Sequence, residues 1–91
     1  MDDFEKLLNR RLEEDGEFKA LWEEDAPRRE IIDKIISLRI EHQLTQKEMA
    51  EKLGTSPTAI ARIENGKVNP SINFLLKVGK VFNKRLVVNY I

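Results

Sequence analysis

Between Leu44 and Pro70 the sequence closes one helix and opens another within three residues, and few folds accommodate that junction. Thr45-Gln46-Lys47-Glu48 has the form of a capping box, in which the Thr hydroxyl accepts from an unpaired amide one turn in and the Glu carboxylate reaches back to the amide of the cap. That helix runs to Leu53. Gly54 is free to take the positive φ that ends it, and Thr55-Ser56-Pro57 restarts the chain with a hydroxyl cap and Pro at the first helical position. The second helix turns Ile60 and Ile63 inward at i, i+3, leaves Thr58, Ala61 and Arg62 on other faces, and stops at Asn65-Gly66. Two helices joined so closely through a Gly-containing turn make a helix-turn-helix, whose second helix fits a DNA major groove.

With 91 residues the chain has room for one small domain and a modest core, and none for a separate ligand-sensing domain, so any regulation is expected from a partner rather than a small-molecule effector. There is no cysteine, which removes disulfides and thiolate metal sites and is compatible with a cytoplasmic location. No apolar run approaches about 18 residues, and the charged start Met1-Asp2-Asp3 is unlike a secretory signal; a soluble protein without membrane association is expected. The formal net charge is zero but unevenly spread: residues 1–30 carry 11 acidic and 6 basic side chains, and residues 31–91 carry 5 acidic and 10 basic. The cationic part is the helix-turn-helix part, which suits a phosphate backbone, while the acidic third suits a basic protein surface.

Phe4, Leu7, Leu8 and Leu12 predict an amphipathic helix broken at Asp15-Gly16, and Phe18, Leu21 and Trp22 mark one face of a second, ending near Pro27. Neither is long enough to be stable alone, so their apolar faces must cover either the core or a partner protein; Trp22, beside Glu23, Glu24 and Asp25, is the natural anchor. The longest helix is expected from Arg28 to about His42. Ile31, Ile35 and Leu38 form one stripe, with Ile32 and Ile36 beside it, all facing inward; Ile40 lies off that face, exposed or covered by the N-terminal segment. Past Gly66, Lys67-Val68-Asn69-Pro70-Ser71 is a loop ending in another hydroxyl cap. Phe74, Leu75, Val78 and Phe82 then share one helical face, with Leu76 and Val81 elsewhere and Gly79 weakening the helix by up to about 1 kcal/mol. From Arg85 to Ile91 the composition turns β-branched and aromatic, which predicts a strand. A lone strand in a helical chain is most simply satisfied by the same strand of a twofold-related copy, through Leu86, Val87, Val88 and Tyr90.

Leu44-Thr45-Gln46-Lys47-Glu48-Met49-Ala50-Glu51-Lys52-Leu53-Gly54, Ile60-Ala61-Arg62-Ile63-Glu64-Asn65-Gly66-Lys67 and Asn69-Pro70-Ser71 together resemble the phage Cro/repressor (XRE) family of DNA-binding domains. The resemblance implies an all-α fold: a repressor-like five-helix domain over 27–83, preceded by an acidic helical extension (1–26) and followed by a short C-terminal β-strand (84–91) used in dimerisation. It implies an ion pair between Arg39 and Glu64, largely desolvated. It places phosphate contacts on Gln46, Asn65, Lys67 and Asn69, and base-edge contacts on Ser56, Pro57, Thr58, Ala61 and Arg62, where Arg62 either reads guanine or holds a phosphate or an intramolecular acid. Two departures matter. Gln43 stands where relatives commonly have Gly, so a side-chain-bearing residue must accept a left-handed cap or the helix must end another way, at a small local cost. Pro57 and Ala59 stand where relatives often carry long polar side chains, so hydrogen-bond readout is thin and DNA shape carries more of the specificity.

The leader Asp15-Gly16-Glu17-Phe18 before a repressor-like domain with a short terminal strand also resembles the HigA class of antitoxins. That resemblance implies a repressor of its own operon, acting as a homodimer on operator DNA and neutralising a small basic RelE-like (HigB) ribonuclease toxin through Phe18, Leu21 and Trp22. The alternatives are a stand-alone XRE-type regulator and a protein-interaction module that never meets DNA. An enzyme is not expected: His42 is the only histidine and sits at a helix end where capping suits it, there is no Gly-rich phosphate loop, and no residue cluster calls for a metal or other cofactor.

Overall fold

The computed structural model describes residues 2–91, with the side chain of Asp2 left aside. Six helices follow one another: α1 (Asp2–Glu14), α2 (Gly16–Glu24), α3 (Ala26–Glu41), α4 (Gln46–Leu53), α5 (Pro57–Glu64) and α6 (Ile72–Val81). The hydroxyl caps read from sequence are all made: Thr45, Ser56 and Ser71 accept from the amides of Glu48, Ala59 and Phe74 at 3.0, 3.1 and 3.0 Å. The box is completed by the Thr45 amide, which donates to Glu48 Oε1 at 3.0 Å.

The last four helices end alike. Leu44, Thr55, Lys67 and Lys84 donate their amides to the carbonyls of Arg39, Ala50, Arg62 and Gly79, while the residue before each donates to the carbonyl three positions back. This paired arrangement needs a left-handed residue at the bend. Gly54 (φ 70) and Gly66 (φ 74) supply it without a Cβ penalty, whereas Gln43 (φ 57) and Asn83 (φ 54) supply it against one.

The core lies between α3, α4, α5 and α6: Ile35, Met49, Ala50, Leu53, Ile60, Ile63, Val78 and Phe82 are buried, and Leu38, Leu44, Phe74 and Leu75 pack around them. Met49 and Ile60 are the largest fully buried side chains, each worth roughly 1.5–3 kcal/mol of transfer free energy. Ile32 packs near Gly66, where a Cβ would lie 3.9 Å from its Cδ1. His42 Nδ1 donates to the Leu38 carbonyl at 2.8 Å, since that oxygen can only accept, and its ring lies 4.6 Å from that of Phe82.

Several expectations are corrected. The region expected to hold five helices, 27–83, holds four, α3 to α6. Residues 84–91 are not in a strand in the single chain; the strand expected there was to form only against a twofold-related copy, and that pairing is a separate matter. The longest helix starts at Ala26, two residues early, with Pro27 accepted in its first turn where no intrahelical amide is needed. Ile31 is not inward but 38% exposed, whereas Ile40, at 60%, takes the exposed one of the two outcomes left open for it.

The leader does not close over the core. α1 packs on α2 and α2 on the start of α3, and α2 contains no buried residue. Phe4 and Leu7 remain 70% and 64% exposed, so the stripe predicted for α1 is buried only in part, at Leu8 and Leu12. The radius of gyration, 15.2 Å, exceeds the roughly 12 Å of a compact chain of this length, as a projecting hairpin requires. What holds the hairpin is a ladder of cations and rings. The Arg11 guanidinium lies 4.1 Å from the Phe18 ring centroid, Phe18 stacks on Trp22 at 6.1 Å, and Arg29 lies 3.4 Å from the Trp22 centroid while donating to the Trp22 carbonyl at 2.6 Å. No helix among the described residues is long and apolar enough to cross a membrane.

Candidate nucleic-acid interface

α5 is built to keep one side free. Ile60 and Ile63 are buried, so the opposite side, carrying Pro57, Thr58, Arg62 and Asn65, faces solvent, with Ala61 half-buried at its edge. Ser56 is exposed at the helix N-terminus; its oxygen accepts from the Ala59 amide and its O–H remains a donor. All five residues expected to reach base edges thus fall at the start or along the solvent side of one helix.

The helix is anchored from behind by an ion pair. Arg39 Nε and Nη2 donate to Glu64 Oε2 and Oε1 at 2.8 and 3.0 Å, and Arg39 Nη1 donates to the Leu44 carbonyl at 3.0 Å. The Glu64 side chain is 6% exposed and that of Arg39 18%, so the pair is largely desolvated, as expected. This two-pronged contact ties the end of α3 to the end of α5.

The four residues expected at phosphates come from two segments, the start of α4 and the end of α5 with its following loop. Asn65, Lys67 and Asn69 lie together at the exposed end of α5 and in the loop after it. Gln46 lies at the N-terminus of α4, and its Nε2 donates to Glu64 Oε1, beside Asn65, at 3.1 Å. The carboxamide keeps a second N–H, so Gln46 is coupled to the buried ion pair and still retains a free donor.

Sequence reasoning missed Arg28. Its Nε and Nη2 donate to the two carboxylate oxygens of Asp25 at 3.0 and 3.4 Å, and its Nη1 to the Gly66 carbonyl at 3.2 Å and to Asn69 Oδ1 at 3.1 Å. A basic residue just after Pro27 carries no distinctive pattern, and the tie across 41 positions emerges only from the packing of α3 against α5. Phe18, Leu21 and Trp22, expected from sequence to meet a partner protein, line one shallow groove with Glu24, Asp25 and Arg29. Leu21 is 58% exposed, whereas Phe18 and Trp22 are half-buried by the ladder. Leu86, Val87, Val88 and Tyr90 are all exposed, at 38%, 73%, 76% and 98%.

A capped helix, a left-handed glycine turn and a second helix with one solvent face define a DNA-binding helix-turn-helix domain. The helix-turn-helix family model matches residues 35–88, and the chain belongs to that family, in its XRE-type branch. Among curated proteins it is similar to an uncharacterized HTH-type transcriptional regulator of Archaeoglobus fulgidus, 38% identical over 53 residues, 58% of this chain and 76% of the relative. It is likewise similar to one of Methanocaldococcus jannaschii, 42% identical over 45 residues, 50% of this chain and 68% of the relative. A longer and weaker similarity, 26% over 85 residues, relates it to antitoxin HigA1 of Mycobacterium tuberculosis and takes in 93% of this chain and 57% of that protein. No solved structure matches the chain at a significant level.

Proposed function

We propose that this helix-turn-helix regulator is the antitoxin of a type II toxin–antitoxin pair, repressing its own operon and neutralising a small basic RelE/HigB-like ribonuclease. The observation that carries this reading is the extent of the likeness to HigA1: 85 of 91 residues must include most of the leader, whereas the archaeal regulators match 45 or 53. The leader is also the acidic part of the chain and leaves Phe4, Leu7 and Leu21 in solvent, which suits a basic partner with an apolar anchor site.

In this reading two copies bind a palindromic operator about one helical turn between half-sites. Their C-terminal segments pair through Leu86, Val87, Val88 and Tyr90, whose backbone is free to form a ladder. Lys67, Asn65, Asn69 and Gln46 hold phosphates. Ser56, Pro57, Thr58, Ala61 and Arg62 meet base edges, with thymine-methyl contact and DNA shape supplementing few hydrogen bonds.

The test is co-expression with the adjacent reading frame. A small basic protein should co-purify with the wild-type chain and be lost from the triple variant F4D/L7D/L21D, which alters only exposed positions and should still retard the operon's promoter fragment. Equal retention of the neighbour by both chains would remove the leader's role; no co-purifying neighbour would leave a stand-alone regulator.

A further inference from the structure

The loop between α5 and α6 carries Lys67 and Asn69, yet its backbone hydrogen bonds among the described residues end with the Lys67 amide. What holds its far side is Arg28. The guanidinium bonds the Gly66 carbonyl and the Asn69 side chain at one edge, and the Asp25 carboxylate at the other. Arginine has no acceptor, so the end of the Asn69 carboxamide that faces it must be the oxygen. The amide nitrogen, with both its hydrogens, is then directed away from Arg28, and a pinned donor of that kind suits a phosphate oxygen. Asp25 in turn belongs to the α2–α3 junction: it lies 3.6 Å from Arg29, which covers Trp22, and it lines the leader groove.

We infer that Arg28 is a positioning residue for DNA binding, fixing the orientation of Asn69 through the Arg28–Asn69 contact, and that Asp25 places the leader in control of that setting. The inference rests on the DNA-binding reading of the α5–α6 loop. It assigns Arg28 a role through geometry rather than through charge, because a lysine cannot hold Asp25, Gly66 and Asn69 from one planar fork.

The experiment is a double-variant cycle on the full chain, with affinity for a duplex carrying its own promoter measured against salt. R28K keeps the charge, so the salt slope should stay as in the wild type while affinity falls about tenfold, the effect of one lost bond to a charged group. N69A should give a similar loss, and R28K/N69A together about the same tenfold rather than roughly a hundredfold, because both variants remove one device. D25N, which leaves the fork half-held, should also weaken binding. Wild-type affinity in R28K, multiplying losses in the double variant, or tighter binding by D25N would each overturn the inference. If K67A weakens binding while R28K does not, only the Arg28 assignment fails. A wild-type chain indifferent to the duplex removes the DNA reading and this inference together.

Discussion

Glu64, the last residue of α5, accepts two hydrogen bonds from Arg39 of α3, at 2.8 and 3.0 Å, and a third from Gln46 of α4. One carboxylate thus locks together the three helices whose relative setting decides how the exposed side of α5 meets a groove. The geometry satisfies the buried oxygens, and no buried side-chain polar atom among the described residues lacks a partner.

Removing one member of the pair should therefore be far more damaging than removing both. R39A or E64A is expected to destabilise the chain by roughly 3–5 kcal/mol, because the remaining charge is stranded, whereas an apolar R39M/E64L pair should be markedly milder. Urea unfolding of the three variants decides it. Equal losses in the single and double variants would mean that the interaction is not desolvated in solution.

Gly79 reverses the usual expectation for glycine in a helix. Gly→Ala in a helix interior ordinarily stabilises by roughly 0.5–1 kcal/mol, but a Cβ at position 79 would stand 2.7 Å from the Lys84 carbonyl oxygen, where the chain folds back past the left-handed Asn83. G79A should lower the melting temperature. G16A, with nothing within 4 Å of the added Cβ, should not. At Gln43, held at φ 57, Q43G relieves the left-handed strain and should raise stability by a few tenths to about 1 kcal/mol.

Glu48 makes folding pH-dependent in a definite direction. The backbone hydrogen bond from Thr45, then the Thr45 side chain, hold its carboxyl below the usual Glu range, with Lys52 adding a smaller pull in the same sense. A depressed folded-state pKa contributes stability that is fully present above the unfolded-state value and lost as pH falls through the folded one. E48Q should be less stable than wild type at neutral pH, and the gap should close in acid as the wild-type carboxyl protonates. A gap independent of pH would place the effect in packing instead.

Much of this architecture is legible in the residues because it is local. Thr45, Ser56 and Ser71 announce their helices by hydroxyl caps and Gly54 and Gly66 their ends, since each of these depends on neighbours three or four positions away, while the left-handed bend at Gln43 is one of two outcomes raised by the family resemblance. Arg39 and Glu64 were legible through family resemblance rather than through physics. The rest depends on distant contacts that periodicity does not encode. Phe18 and Trp22 declare an apolar face, but not that Arg11 and Arg29 would cover it. Ile31 has the spacing of a core residue and is nonetheless 38% exposed. Gly79 looks like a weakness until the returning carbonyl of Lys84 is in view, and Arg28 has no local signature at all.

Lys67 and Arg62 separate the two halves of DNA recognition. Lys67 is exposed in the loop past α5; under the proposed reading its point charge holds a phosphate whatever the sequence, so K67A should weaken binding to all duplexes alike. Each phosphate it neutralises contributes roughly −0.9 to the slope of log affinity against log salt, so the slope should shrink by about that amount per protomer. Arg62 stands on the solvent side of α5, one turn from Thr58, where its fork can reach the O6 and N7 of guanine. R62A should cost about 1–3 kcal/mol on the operator and much less on a duplex altered at the guanine it reads. The same loss on every duplex, with the slope reduced as in K67A, would move Arg62 from the bases to the backbone and leave specificity to Thr58 and the shape of the groove.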